Sequence, residues 1–330
     1  MVIDVHVHVA GTGSHSSCFI SEKLRKSPAY LLMLATTGHL FGTVNDETIQ
    51  EHILQTLRGA SLVQRAVFLA LDMIHDNQGR ALPHKTHLYV PNDHVARMVS
   101  LEPRSLLGAS VHPDRPDALE ELERVVELGA VLLKWIPSSQ GINPSRKRYL
   151  SFYRKLAELG LPLLCHAGAE HAVPCPEPEE EFRAFDDPSR MVFALEEGVT
   201  VIAAHCALPV FSRDEDYTEM FIDLMAQAQK EGWALYADVS ALSAPFPHRV
   251  GILRKILREL PHERLILGSD YPIPVSPLWP GAAGEMNLEE WADAMLTSNP
   301  LDRNLKVIKA LGFSQEVLTN AQHVLRLPQS

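Results

Sequence analysis

The sequence predicts an α/β protein, a (β/α)₈ barrel with a long excursion after the first strand and extra helices at the C-terminus. Three observations predict it. Eight short apolar runs, most of them continuous, recur along the 330 residues, as expected for strands buried on both faces of a parallel sheet. Helical patterns separate these runs, which is the signature of βαβ units. The length suits one barrel of about 250 residues with insertions. An open doubly wound sheet is the alternative. No GxGxxG follows the first strand, so the dinucleotide-binding form of that alternative has no support.

The first strand, residues 3–9, reads IDVHVHV. Strict alternation of β-branched residues indicates a strand, in which residues i and i+2 share a face about 6.5–7 Å apart. The excursion spans residues 10–64. It contains NDETIQEHILQTLRG, where Asn45 is a fitting N-cap and Asp46 and Glu47 fill the first turn. Ile49, Ile53, Leu54 and Leu57 line one face, and Gly59 stops the helix. Strand two is AVFLALD (66–72). A loop over 73–93 leads to a short helix near 94–100.

Strand three covers 106–113, followed by the acidic amphipathic helix DALEELERVVELG, closed by Gly129. Strand four covers 130–137. The helix SRKRYLSFYRKLAELG ends at Gly160, before strand five (161–168). VPCPEPEEE reads as a surface loop, and DPSRMVFALEEG as a short helix stopped by Gly198. Strand six is 199–207, strand seven 233–241 and strand eight 264–272. The helices EDYTEMFIDLMAQAQKEG and PHRVGILRKILREL lie between them. Two or three helices close the chain, among them NPLDRNLKVIKALG and SQEVLTNAQHVLRL. No low-complexity linker or composition shift divides the sequence, so a single domain over residues 1–330 is expected.

The composition is that of an ordinary soluble chain, with 46% hydrophobic and 22% charged residues. No apolar run approaches the roughly 18 residues of a membrane span. The N-terminus lacks a basic segment followed by an apolar one, so a cytoplasmic location is expected. A net charge of −11 argues against nucleic acid as the partner. It leaves room for a carboxylate-bearing small-molecule substrate, because a bound cation dominates its local field. A homo-oligomer is compatible with the sequence. The four cysteines, Cys18, Cys165, Cys175 and Cys206, form no CxxC pair. Cys165 and Cys206 lie in apolar runs, so a disulfide framework is not expected.

In such a barrel the C-terminal strand ends carry the chemistry. Strand one ends in His6 and His8, strand four in Lys134, strand five in His166, strand six in His205 and strand eight in Asp270. Two imidazoles at i and i+2 of a strand can converge on one ion, since Zn–N bonds are about 2.0–2.1 Å. Any one of these residues could end a strand without function. Together they point to a metal site.

Asp4 lies deeper on the same face, in a supporting role. His75 and His112 follow strands two and three as substrate-side candidates. Glu170 and His171 lie just beyond His166. Arg183, Arg213 and Arg249 are candidates for holding a substrate carboxylate. Trp135 points, by alternation, away from the lumen. Most other histidines (His15, His39, His52, His84, His87, His94, His248, His262 and His323) have loop or helix-surface contexts and read as solvated.

The order HxH, Lys, His, His, Asp along strands one, four, five, six and eight resembles the amidohydrolase superfamily. VLLKWIPSSQGINP, LPLLCHAGAEH, VIAAHCA and LILGSDYPIP resemble its amidohydrolase-related group of TIM-barrel metal-dependent hydrolases. That group includes relatives of aminocarboxymuconate-semialdehyde decarboxylase. The similarity runs from Asp4 to Pro274, and NAQHVLRL resembles the family's closing helix.

The resemblance implies two forms of the site. In the mononuclear form His6, His8, His166 and Asp270 bind one Zn²⁺, and His205 is a general acid/base. In the binuclear form a carboxylated Lys134 bridges two ions, with His6, His8 and Asp270 on one and His166 and His205 on the other. Mn²⁺, Fe²⁺ or Ni²⁺ also accept such ligands. Either form lowers the pKa of a bound water to about 7, with Asp270 as proton acceptor and donor. The implied activity is hydrolysis of an amide, lactone or ester. The alternatives are a non-oxidative decarboxylase or hydratase on the same barrel, and a catalytically silent metabolite-binding barrel.

Overall fold

A computed structural model describes residues 1–242, 244 and 249–328. His248 therefore lies outside the described residues. Eight strands form one parallel sheet in sequence order. They are β1 (Ile3–His8), β2 (Arg65–Leu69), β3 (Ser105–Ala109), β4 (Ala130–Trp135), β5 (Leu163–Cys165), β6 (Val201–Ala203), β7 (Leu235–Asp238) and β8 (Leu265–Ile266). The Val5 N–H donates to the Leu267 carbonyl and the His8 N–H to that of Tyr271. A parallel bridge between Val7 and Tyr271 completes the seam. The ring closes where β8 returns to β1, and no sheet edge is left there.

The continuous apolar runs follow from burial on both faces. Val67, Leu69, Leu106, Leu132, Leu164, Ile202 and Ile266 belong to one buried cluster, which the C-terminal Ala321, Val324 and Leu325 join. A larger cluster joins the barrel to its helices. Gly108 shows how tightly the first is packed: a Cβ there would lie 2.6 Å from Leu69 Cδ2 and 2.9 Å from Val67 Cγ1. Trp135 turns away from the lumen, stacks on Phe152 with centroids 5.4 Å apart, and donates its indole N–H to the Val111 carbonyl.

The excursion is built rather than loose. Phe19–Ile20 pairs antiparallel with Leu88–Tyr89, which ties it to the loop after β2. Helix α1 (Glu22–Arg25) is capped by Ser21. Helix α2 (Pro28–Thr36) is capped by Ser27 and starts on a proline, the residue pre-set for that position. Helix α3 (Asp46–Arg58) begins at Asn45, the N-cap its sequence predicts, and a capping box to Thr48 reinforces that start. The VPCPEPEEE stretch differs from the surface loop expected of it. Val173, Cys175 and Pro176 are buried, and its last three residues open a short helix, Glu179–Arg183.

Candidate metal centre

β5, β6 and β8 are shorter than their apolar runs suggest, and the site residues lie just beyond their ends. His205 and Asp270 have φ of 58° and 63°, a region that non-glycine residues rarely adopt. The turn takes each residue out of the sheet ladder at the rim. Such conformations cost about 1–3 kcal/mol each, so the surroundings must hold them. The His205 N–H donates to Asp238 Oδ1 at 2.9 Å, and the Asp270 N–H donates to the His6 carbonyl at 2.9 Å.

Three donor atoms meet at the mouth of β1. His6 Nε2 and His8 Nε2 are 3.1 Å apart. Asp270 Oδ1 lies 3.4 Å from His6 Nε2 and 3.1 Å from His8 Nε2. Donors bound at about 2.0–2.1 Å to a tetrahedral ion would be separated by roughly 3.3–3.4 Å, so these spacings fit one. Lys134 Nζ is 3.1 Å from His6 Nε2. His205 packs on both neighbouring imidazoles, its centroid 5.0 Å from His6 and 4.9 Å from His166. His6, His205 and Asp270 each offer an atom within 4.8 Å of the others. His166 Nε2 is buried and has no hydrogen-bond partner. A buried nitrogen left unpaired costs about 1–3 kcal/mol, which a cation would relieve. The donor set and this orphaned nitrogen both fit a divalent metal.

Burial favours the neutral form of three imidazoles and of the lysine. It pulls His6 and His205 well below the usual imidazole range, with Lys134 and neighbouring histidines adding to the effect. Burial and then Lys134 bring His166 down to about 3. Lys134 itself is lowered by burial, against the opposing pull of Asp238 and Asp270. A neutral imidazole offers a lone pair, and a neutral amine is what carboxylation requires. Lys134 forms no ion pair with Asp270 among the described residues.

Two residues at the end of β7 complete the arrangement, and the sequence reading passed over them. Asp238 Oδ2 lies 2.7 Å from His6 Nδ1. Ser240 Oγ is 2.7 Å from His205 Nδ1 and donates to Asp238 Oδ1. The signal was available: strand seven ends ADVSA, a carboxylate and a hydroxyl two apart at the rim that carries every other site residue. Asp4, as expected, supports from below. Its Oδ1 accepts from the His6 and Ser269 N–H groups, and burial raises its carboxyl to about 7.

Other candidates fall elsewhere. His112 and His75 face each other at 5.2 Å but do not line the central cavity. Arg183 pairs with Glu179 and is also away from the cavity. Arg249 lines it, but its Nε and Nη1 donate to the carbonyls of Pro209 and Ala241. Arg213 is exposed and lies over the Phe211 ring. Glu170 Oε2 is 3.4 Å from His166 Nδ1, and His171 Nε2 is 3.0 Å from Asp214. His39 and His52 are half-buried and line the cavity, and His94 is buried. Each was out of reach of local context because a distant element covers it.

The sequence model of the amidohydrolase family matches residues 3–302. This chain belongs to the amidohydrolase family. Its members are metal-dependent enzymes, and the His and Asp cluster described above suits a metal in this one. No curated protein has significant sequence similarity to the chain. Solved structures share its fold. A TIM-barrel protein from Bordetella bronchiseptica is 15% identical with a TM-score of 0.56, covering 97% of this chain and 99% of that one. A protein from Acinetobacter baumannii, assigned as a probable 2-pyrone-4,6-dicarboxylic acid hydrolase, is 17% identical with a TM-score of 0.57, covering 98% of each chain. The 5-carboxyvanillate decarboxylase of Sphingomonas paucimobilis is 14% identical with a TM-score of 0.55, covering 99% of each. Among the described residues no helix is long and apolar enough to cross a membrane.

Proposed function

We propose that this amidohydrolase is a hydrolase that directs water at a carbonyl-type carbon of an amide, lactone or ester. The observation that carries the reading is the meeting of His6 Nε2, His8 Nε2 and Asp270 Oδ1 within 3.1–3.4 Å of one another. His6, His8, His166 and Asp270 would hold one Zn²⁺, the usual choice for a His-rich set with one carboxylate; Mn²⁺, Fe²⁺ and Ni²⁺ accept the same ligands. When bound, such an ion supplies Lewis acidity that brings the pKa of a coordinated water from 15.7 to about 7.

The side chains do the rest. Asp270 takes a proton from the attacking water and returns it to the leaving group. His205, whose Nδ1–H is held by Ser240 Oγ, presents the lone pair of Nε2 as a proton acceptor beside the reacting carbon. Asp238 and Ser240 keep both imidazoles aimed. The apolar walls limit competing water. Among the described residues Arg213 and Arg249 are the guanidinium groups that line the cavity, and Arg249 is engaged by the backbone carbonyls of Pro209 and Ala241. The four cysteines are buried free thiols, in keeping with a reducing cytoplasmic setting. Turnover of ester, lactone and carboxylated aromatic substrates by metal-loaded protein tests the reading. Water addition to a carbonyl substrate supports it. CO₂ release without water addition would assign the decarboxylase alternative.

A further inference from the structure

The cavity above the cluster encloses about 590 Å³, enough for most of a drug-sized molecule. Its floor is polar, formed by His8, His166, His205 and Asp270. Away from that floor its wall is mostly apolar: Ile20, Leu24, Met33, Leu34, Ile49 and Ile53 line it, with His39 and His52 among them. These residues come from the excursion, on α1, α2, α3 and the short strand before them. Helix α2 carries PAYLLMLAT and buries none of its residues, although a helix apolar on all sides is ordinarily a buried one. Its cavity-lining residues Met33 and Leu34 gain apolar contact when a hydrocarbon lies beneath them. The guanidinium groups on the cavity wall stand apart from this apolar side: Arg213 lies exposed over the Phe211 ring, and Arg249 donates to the carbonyls of Pro209 and Ala241.

From this division of the cavity we infer that the substrate is an amphiphile, an acyl ester or acyl-chain lactone. Its carbonyl sits at His6, His8 and Asp270, and its hydrocarbon chain lies under α1 and α2. In the reaction a C–O bond forms from water to the acyl carbon and the ester C–O bond breaks. The proton passes through Asp270 to the departing alkoxide. A carboxylic acid and an alcohol result, with no change of oxidation state. The position of the head rests on the hydrolase reading above; the seat of the chain does not.

The test therefore separates the two. Binding of n-butanol, n-hexanol, n-octanol and n-decanol to the full, chelator-treated chain is measured by displacement of Nile red. Affinity is expected to rise about fourfold per methylene, the fold-change corresponding to ~0.8 kcal/mol per buried CH₂. Met33→Glu should weaken octanol at least tenfold. Leu31→Glu, at an exposed residue outside the cavity wall, should leave it unchanged. Should Met33→Glu not fold, the alcohol series on the unmodified chain decides. Octanol bound no more tightly than butanol overturns the proposal, as does equal weakening by Leu31→Glu. With Zn²⁺ restored, kcat/KM for p-nitrophenyl acetate, butyrate, octanoate and decanoate should rise with chain length. Graded alcohol binding without ester turnover supports the chain's seat and counts against the hydrolase reading. Turnover of acetate alone, with flat alcohol binding, does the reverse.

Discussion

Asp238 Oδ2 lies 2.7 Å from Nδ1 of His6, and solvent reaches neither side chain. The carboxylate keeps the proton on Nδ1, so the lone pair of Nε2 faces His8 and Asp270. The other oxygen of Asp238 accepts the N–H of His205 at 2.9 Å and that of Ser240 at 3.1 Å. One buried group therefore aims imidazoles delivered by β1 and β6. Asp238→Asn should retain the fold by circular dichroism and lower metal affinity 10–100-fold, read by competition with a chromophoric chelator. Unaltered affinity would remove Asp238 from this role.

The metal itself is the next dependence. Chelation should abolish turnover, and Zn²⁺ should restore it. His8 contributes one of the three converging donors, so His8→Ala should purify with a substoichiometric ion and lose at least about a hundredfold in kcat/KM, consistent with loss of an essential electrostatic group. A His8→Ala protein with full metal content and normal turnover would falsify the assignment of the cluster.

Lys134 decides between one ion and two. Its amine is buried 3.1 Å from His6 Nε2, and burial favours its neutral form. The proposed single-ion site predicts one metal per chain by elemental analysis and an unmodified mass in bicarbonate buffer. Two metals per chain, with added mass of one CO₂ lost on acidification, would instead assign a bridging carbamate.

The rim also depends on a glycine. Gly168 follows His166 with φ of +88°, and a Cβ there would lie 2.6 Å from the Leu208 carbonyl oxygen. The obstacle is backbone from the β6 turn that carries His205, which cannot swing aside as a side chain could. Gly168→Ala should cost at least about 1 kcal/mol, more than the entropic gain of the substitution. Urea titration measures it, and a stabilised variant would contradict the contact.

The barrel could be read from the sequence because parallel strands buried on both faces must be apolar throughout, and VLLK, PLLCH, VIAAH and LILGSD all are. The rim residues were legible for the same reason: a His, Lys or Asp ending such a run has few other places to be. What the sequence left dark was pairing across the barrel. Asp238 sits 232 positions from His6, and no local pattern says which strand end supports which. The arginines misled because exposure and capture by carbonyls are set by elements far away in the chain. The accessible apolar surface of α2 was hidden too, since PAYLLMLAT reads by composition as a buried helix.

His112 offers a test of the fold away from the metal cluster. It is fully buried, its Nε2 lies 3.0 Å from the Gln140 carbonyl, and its Nδ1 accepts the Asp114 N–H at 3.1 Å. A neutral ring satisfies both contacts, with its proton on Nε2. Protonating Nδ1 would set one N–H against another. Burial first, then His75, hold its pKa at about 3, against about 6.5 in the unfolded chain. Between those values the unfolded chain binds the extra proton. The contribution of His112 is therefore complete above pH ~6.5 and is lost as pH falls toward ~3. At about pH 5 the loss is about 2 kcal/mol, from ~1.4 kcal/mol per unit. In His112→Gln this titration is absent. The stability difference between the unmodified chain and the variant, taken from urea midpoints, should shift against the unmodified chain by about that amount between pH ~7.5 and ~5. A difference that stays constant over this range would mean that His112 titrates normally and that its buried contacts do not select the neutral ring.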